Sequence, residues 1–321
     1  MTYLSISSTK YFKAYYKTTD IISCQQSACY HFDYVPMKNK ICLITGATSG
    51  MGKVTALALA KKGAHVIIHG RNAEKAEAVR NEITAACGND NVTIMLADLG
   101  SLQGIKQLAD QFSARYGHLD ILMNNAGAIM NKKREESVDG IETTIQVNFI
   151  ATFYLTALLF EKLKNSEAAR IINYSSAMHK YAKIDLNDFM MQKSYQVLRA
   201  YANAKLYVNL FTEELNRRIK SQGIKNITVN AVHPGGVNTN FANNSKSIVR
   251  FLLKLMRPFS LSEEEGADTG IYLVEDAEVG NHSGEYFVER KPKLPAQKYN
   301  TPEITKEVWA IAEKLTGIQF M

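Results

Sequence analysis

Tyr201-Ala202-Asn203-Ala204-Lys205 places a phenol and an amine four residues apart, a spacing that puts both on one face of a helix. A free tyrosine, with a pKa of about 10, holds its proton too tightly to exchange it readily at neutral pH. A nearby ammonium favours the phenolate, so such a pair can give a proton to a carbonyl oxygen or take one from an alcohol. The spacing alone is common on surface helices, and Tyr207 stands on the same helix, so the pair gains its weight from partners. Ser175-Ser176 follow the strand-like run Arg170-Ile171-Ile172-Asn173-Tyr174, at the carboxyl end of a strand where α/β sites open. A hydroxyl there can hold a substrate oxygen and stabilise the charge it develops.

A second group of residues suits phosphate. The apolar run at 41–45 leads straight into Thr45-Gly46-Ala47-Thr48-Ser49-Gly50-Met51-Gly52, where a helical pattern opens. Gly46, Gly50 and Gly52 let the backbone turn tightly and come close to a pyrophosphate, while the helix N-terminus adds unpaired N–H donors.

The elements that must position these residues alternate strictly. Strands at 41–45, 64–69, 92–97, 119–124, 170–175 and 228–233 are separated by helices at 52–62, 73–87, 102–116, 124 to about 163, and around 201–221. Such alternation implies α/β architecture, a doubly wound parallel sheet of about seven strands with helices on both faces. A last strand is expected at 285–288, and residues 240–270 break the rhythm as a small helical lobe. The expected organisation is one domain over 37–290, a tail with a final helix over 291–321, and an extension at 1–36. That extension is rich in Tyr, Ser, Thr and Lys and lacks a signal-peptide core; either Met37 is the natural start or residues 1–36 are loose.

Bulk composition excludes several classes. The 321 residues carry a net charge of +7, but the basic residues are scattered, and Lys132-Lys133-Arg134 is followed at once by Glu135-Glu136. No nucleic-acid partner is expected from that pattern. Cys24, Cys29, Cys42 and Cys87 form no Cys-x-x-Cys pair and no zinc spacing, so no metal is expected, and free thiols point to a reducing, cytoplasmic setting. No uninterrupted apolar stretch reaches the roughly 18 residues of a spanning helix.

The spacing Gly-x-x-x-Gly-x-Gly, with the four motifs that follow it in order, resembles the classical short-chain dehydrogenases/reductases over about residues 38–290. The resemblance implies a Rossmann-type fold and a tetrad of Asn148, Ser176, Tyr201 and Lys205. In it Ser176 and Tyr201 touch the substrate, and Asn148 holds a helix kink and a relay water. It implies cofactor contacts at Gly46, Thr48, Ser49, Gly50, Met51 and Gly52, at the adenine pair Asp98-Leu99, and at Asn125-Ala126-Gly127. Tyr201 and Lys205 join these, with Ser175 in support. The loop His233-Pro234-Gly235-Gly236-Val237-Asn238-Thr239 closes the same site, with Pro234, Gly235, Val237 and Thr239 as its contacts and His233 as a structural residue. At the end of the second strand, where NAD enzymes carry a ribose-binding carboxylate, Gly70 is followed by Arg71. A guanidinium suits a 2′-phosphate, so NADP(H) is favoured over NAD(H).

Ser176 precedes Tyr201 by 25 residues, a longer interval than in many members. The insert from Lys183 to Tyr195, and the tail from Ser283 to Phe287, resemble the retinol-dehydrogenase-like and WW-oxidoreductase-like branch. The implied activity is alcohol dehydrogenase or carbonyl reductase chemistry on a hydrophobic small molecule; a catalytically silent NADP-binding scaffold is the alternative. Residues 248–259 mix apolar bulk with three cations, which leaves open a substrate lid, a peripheral membrane contact and a docked helix. The resemblance also implies homodimers through the long helices after Asn125 and around Tyr201, although the family includes monomers.

Overall fold

The computed structural model describes residues 34–130, 133–236 and 261–321. Its strands are β1 (Ile41–Ile44), β2 (His65–Gly70), β3 (Val92–Leu96), β4 (Ile121–Asn124), β5 (Ala169–Tyr174), β6 (Ile227–His233), β7 (Tyr286–Val288) and β8 (Lys291–Lys293). They form one sheet in the order β3-β2-β1-β4-β5-β6-β7-β8. All neighbours pair in parallel except β8, which returns antiparallel to β7. Continuous apolar runs such as Ile-Cys-Leu-Ile in β1 suit strands covered on both faces, and Cys42, Leu43 and Ile44 are fully buried.

The helices are α1 (Gly50–Lys61), α2 (Ala73–Cys87), α3 (Leu102–Arg115), α4 (Thr143–Lys164), α5 (Val197–Ser221), α6 (Glu263–Glu275) and α7 (Pro302–Thr316). One core, built with α1, α2 and α6, fills one face of the sheet; the other, built with α3, α4, α5 and α7, fills the opposite face. Local chemistry explains the helix ends. Asn72 accepts from the Lys75 amide to open α2, and Gly88 closes it at a φ of +63°. Ser262 and Glu265 form a reciprocal capping box on α6, and Thr301-Pro302 opens α7.

One feature departs from the expected plan. β8 is an additional strand; Lys291-Pro292-Lys293 is exposed and contains a proline, which only an edge strand tolerates, so it carries no apolar signature. Of the lobe expected over 240–270, residues 240–260 lie outside the described residues; α6 opens within the rest of it and packs Leu273 and Val274 into the core under the sheet. At the other end, Tyr34 forms a bridge with Asp276 and the Val35 amide donates to the Glu275 carbonyl at 2.7 Å. Tyr34 and Val35 thus already engage the domain ahead of Met37. α4 is apolar and long enough to cross a membrane by composition, yet 72% of that stretch is buried inside the fold.

The strand order reverses between β1 and β4, and crevices at such reversals bind ligands beyond the carboxyl ends of the strands. The register of β4, β5 and β6 brings the ends of those strands side by side there, with Asn124 opposite Asn173 and Tyr174 opposite Val232.

Candidate active site

The glycine loop leaves β1 with Gly46 and Gly50 at φ of +66° and +58°, torsions that favour glycine. Gly52 is required by contact: a Cβ there would stand 2.6 Å from both Asn125 Nδ2 and the Gly46 carbonyl oxygen. Asn125 Nδ2 donates to the Thr45 carbonyl at 2.8 Å, and the Ala126 amide donates to the Thr45 hydroxyl at 3.0 Å. These bonds lock the loop to the end of β4. Ser49 caps α1 without a side-chain bond to its first turn, which leaves first-turn amides to an anion. Thr48 lies over Gly70, where any Cβ would collide with the Thr48 methyl, and Met51 packs partly into the core. The loop therefore fits a dinucleotide pyrophosphate.

Beside it, Arg71 is two-thirds exposed and stands 3.7 Å from the carboxylate of Asp98, which also accepts from the Gly100 amide. Leu99 turns into the core, and its carbonyl accepts from Gln146.

Asn148 sits in a π turn, Gln146–Ile150, inside α4. Its Nδ2 donates to the carbonyls of Thr144 and Ala128, each at 2.8 Å, and its Oδ1 accepts from the Ala128 amide at 3.1 Å. The helix distortion and the loop after β4 are thus held by one amide group. Gly127 makes room: a Cβ there would stand 2.8 Å from Asn148 Oδ1 and 3.2 Å from Lys205 Nζ. Lys205, from the middle of α5, is 3% exposed and donates to the Tyr174 carbonyl at 2.8 Å. Its Nζ lies 5.7 Å from the centre of the Tyr201 ring.

Burial decides the protonation of both side chains. It pushes the Tyr201 phenol well above its ordinary pKa, with the Ser176 hydroxyl bond pulling the other way. It draws the Lys205 ammonium down to about 7. In the protein alone, burial outweighs the lowering by the Ser176 bond, so the phenol is raised rather than lowered. Tyr201 stands as a neutral hydroxyl, a proton donor bonded to Ser176.

Ser176 caps a short 3-10 turn, Ala177–Tyr181, and its hydroxyl accepts from the Met178 amide at 3.2 Å. Ser175, expected at the cofactor, turns inward instead and donates to the Lys205 carbonyl at 3.1 Å, since it is buried against α5. His233 accepts from the Ala177 amide through Nδ1 at 3.2 Å, and burial lowers its pKa to about 4, so it is neutral. Gly235 has a φ of +82° and abuts Leu261, placing Pro234 and Gly235 at the end of β6. Val237, Thr239 and 248–259 lie outside the described residues.

Several supporting residues gave no sequence signal. His69 accepts from the Gly46 amide and bonds the Ala97 carbonyl, tying the glycine loop to β2 and β3. Asn173, Thr156 and Thr212, marked only as polar letters in apolar runs, join Asn124, whose motif implied support of the sheet, in a buried hydrogen-bonded chain under the site.

Residues 40–248 match the family model of the short chain dehydrogenases, and the chain belongs to that family, in its retinol-dehydrogenase-like branch. Its relatives include retinol dehydrogenase 12 of Mus musculus, 36% identical over 89% of each chain. Retinol dehydrogenase 13 of Homo sapiens is 36% identical over 87% of this chain and 85% of its own. Polyprenol dehydrogenase of Homo sapiens is 32% identical over 89% and 87%. Among solved structures, an uncharacterized protein from Mycobacterium paratuberculosis superposes with a TM-score of 0.73 at 29% identity, covering 90% of this chain and 97% of that one. A short chain dehydrogenase from Escherichia coli CFT073, complexed with NADPH, superposes with a TM-score of 0.61 at 25% identity, over 78% and 97%.

Proposed function

We propose that this oxidoreductase moves a hydride between NADP(H) and the carbonyl/alcohol pair of a hydrophobic small molecule, with Tyr201 as general acid and base. The observation that carries the proposal is the buried, protonated Tyr201 hydroxyl bonded to Ser176 with the Lys205 amine close to its ring. A bound nicotinamide supplies or accepts the hydride. In reduction, Ser176 holds the carbonyl oxygen, Tyr201 gives it the proton, and Lys205 stabilises the charge left on the phenol. The Tyr174 carbonyl anchors Lys205, and the missing side chain at Gly127 leaves room for its amine.

NADP(H) is supported by the exposed Arg71 and by the Thr48 methyl over Gly70, which leaves no space for a ribose-binding carboxylate. A hydrophobic substrate is supported by relatives named for retinol and polyprenol, both apolar alcohols. The test is turnover of a panel of retinoid, isoprenoid and aromatic aldehydes with NADPH, with Tyr201→Phe as control. The proposal expects reduction by the wild type and its loss in the variant. Tight NADPH binding with no turnover of any member would favour the scaffold instead.

A further inference from the structure

His179 is 1% exposed and bridges two parts of the chain that are far apart in sequence. Its Nδ1 lies 2.6 Å from the Ser176 carbonyl oxygen, and its Nε2 lies 3.1 Å from the amide nitrogen of Ala296, 117 residues away. A carbonyl can only accept and an amide N–H can only donate. The two partners therefore fix one neutral tautomer, protonated at Nδ1 and bare at Nε2. The Tyr286 ring packs edge-on against the imidazole with centroids 4.9 Å apart, closing the site from β7. The other titratable groups that bear on it are Lys180 and, through the Ala177 amide, His233. Ala296 leads from β8 toward α7, so the far end of this bridge belongs to the C-terminal tail.

We propose that His179 is a positioning residue that couples the tail at Ala296 to the Ser176 hydroxyl. The proposal rests on the reading of Ser176 as the group that holds the substrate oxygen. With the Ser176 carbonyl bonded to His179, the Ala177 amide bonded to His233 and the Ser175 hydroxyl bonded to α5, the serine turn is pinned on three sides. Of these three bonds, the one to His179 leads on to the C-terminal tail, while the others end on β6 and α5. A shift of the tail therefore acts on the Ser176 side of the site, whereas Tyr201 is carried by α5.

Ala296→Pro tests this at a distance from the chemistry. Ala296 already has a φ of −63°, which proline adopts, so the substitution removes the one N–H that His179 receives and little else. Hydrogen–deuterium exchange of the peptide 176–181 is expected to rise about tenfold in Ala296→Pro while that of the glycine loop stays unchanged. With the aldehyde that the wild type reduces best, kcat is expected to fall about tenfold, with KM for NADPH unaltered, as slight misplacement of a substrate-holding group requires. His179→Asn, whose amide can still reach the Ser176 carbonyl, is expected to keep more kcat than His179→Phe. These two variants also decide the matter should Ala296→Pro not fold. Unchanged exchange at 176–181 in a folded Ala296→Pro overturns the coupling. Raised exchange with unaltered kcat overturns its relevance to Ser176. A wild type that reduces no aldehyde refutes the functional reading, and the exchange measurement then still decides whether the tail reaches the serine turn.

Discussion

Two side chains define the chemistry of the site, and burial acts on them in opposite senses. Tyr201 keeps its proton far into alkali, whereas Lys205 loses its proton near pH 7. Reduction needs the first protonated and benefits from the second charged. The alkaline fall of kcat/KM for carbonyl reduction is therefore set by Lys205: the value is highest below about pH 7 and declines as pH rises through it. Lys205→Arg, which stays charged, moves that decline to higher pH, and a pH–rate profile at saturating NADPH checks it. A second expectation concerns Arg71. Arg71→Ala raises KM for NADPH by about tenfold or more, the scale of a lost charge-assisted bond to phosphate, and leaves KM for NADH unchanged. Steady-state kinetics with both cofactors decides it; equal effects on the two would contradict the assignment.

At the scale of elements, the core plan was legible because its signals are local. Ile41 to Gly52 carries a strand, a turn and a helix start in one stretch, and Tyr201 with Lys205 share one turn of α5. What escaped depends on partners distant in sequence. His179 meets Ala296 across 117 residues, and no local pattern marks either. The helix kink implied at Asn148 was expected, but not its form, a π turn in which one side chain serves Thr144 and Ala128 together. β8 was invisible for a different reason: an exposed edge strand needs no apolar alternation. α7 was expected as a final helix, but not its role as a cover. Its Trp309 packs edge-on to Phe153 at 5.2 Å, stacks with Phe320 at 5.0 Å and lies 4.1 Å beneath the Arg218 guanidinium. Trp309→Ala is expected to destabilise the fold by about 3–5 kcal/mol, as for other large-to-small changes in a core, which urea unfolding would register.

At the scale of the molecule, that same cover bears on self-association. The helices through which dimers were expected are α4 and α5, and α7 with Phe320 occupies apolar surface on both, at Phe153, Phe160 and Phe211. Arg218 further ties the end of α5 to the Met321 carbonyl at 2.7 Å. A second copy docking on those same apolar side chains would have to displace these contacts and expose Trp309 and Phe320 to water. The full chain is expected to sediment as a monomer of 35.9 kDa at micromolar concentration; a stable dimer would show that α7 leaves enough of these helices free. The sheet beneath holds the site rigidly: β1, β4, β5 and β6 each deliver one part of it to the same edge.

The most direct test of Tyr201 as the proton donor is a single-turnover reduction of a retinoid aldehyde by excess NADPH-loaded protein, followed by loss of NADPH absorbance. The wild type should consume NADPH in step with aldehyde. Tyr201→Phe should bind NADPH with unchanged affinity and reduce the aldehyde at least about 100-fold more slowly, the scale of a lost general acid. A Tyr201→Phe protein that reduces the aldehyde as fast as the wild type would contradict the assignment outright.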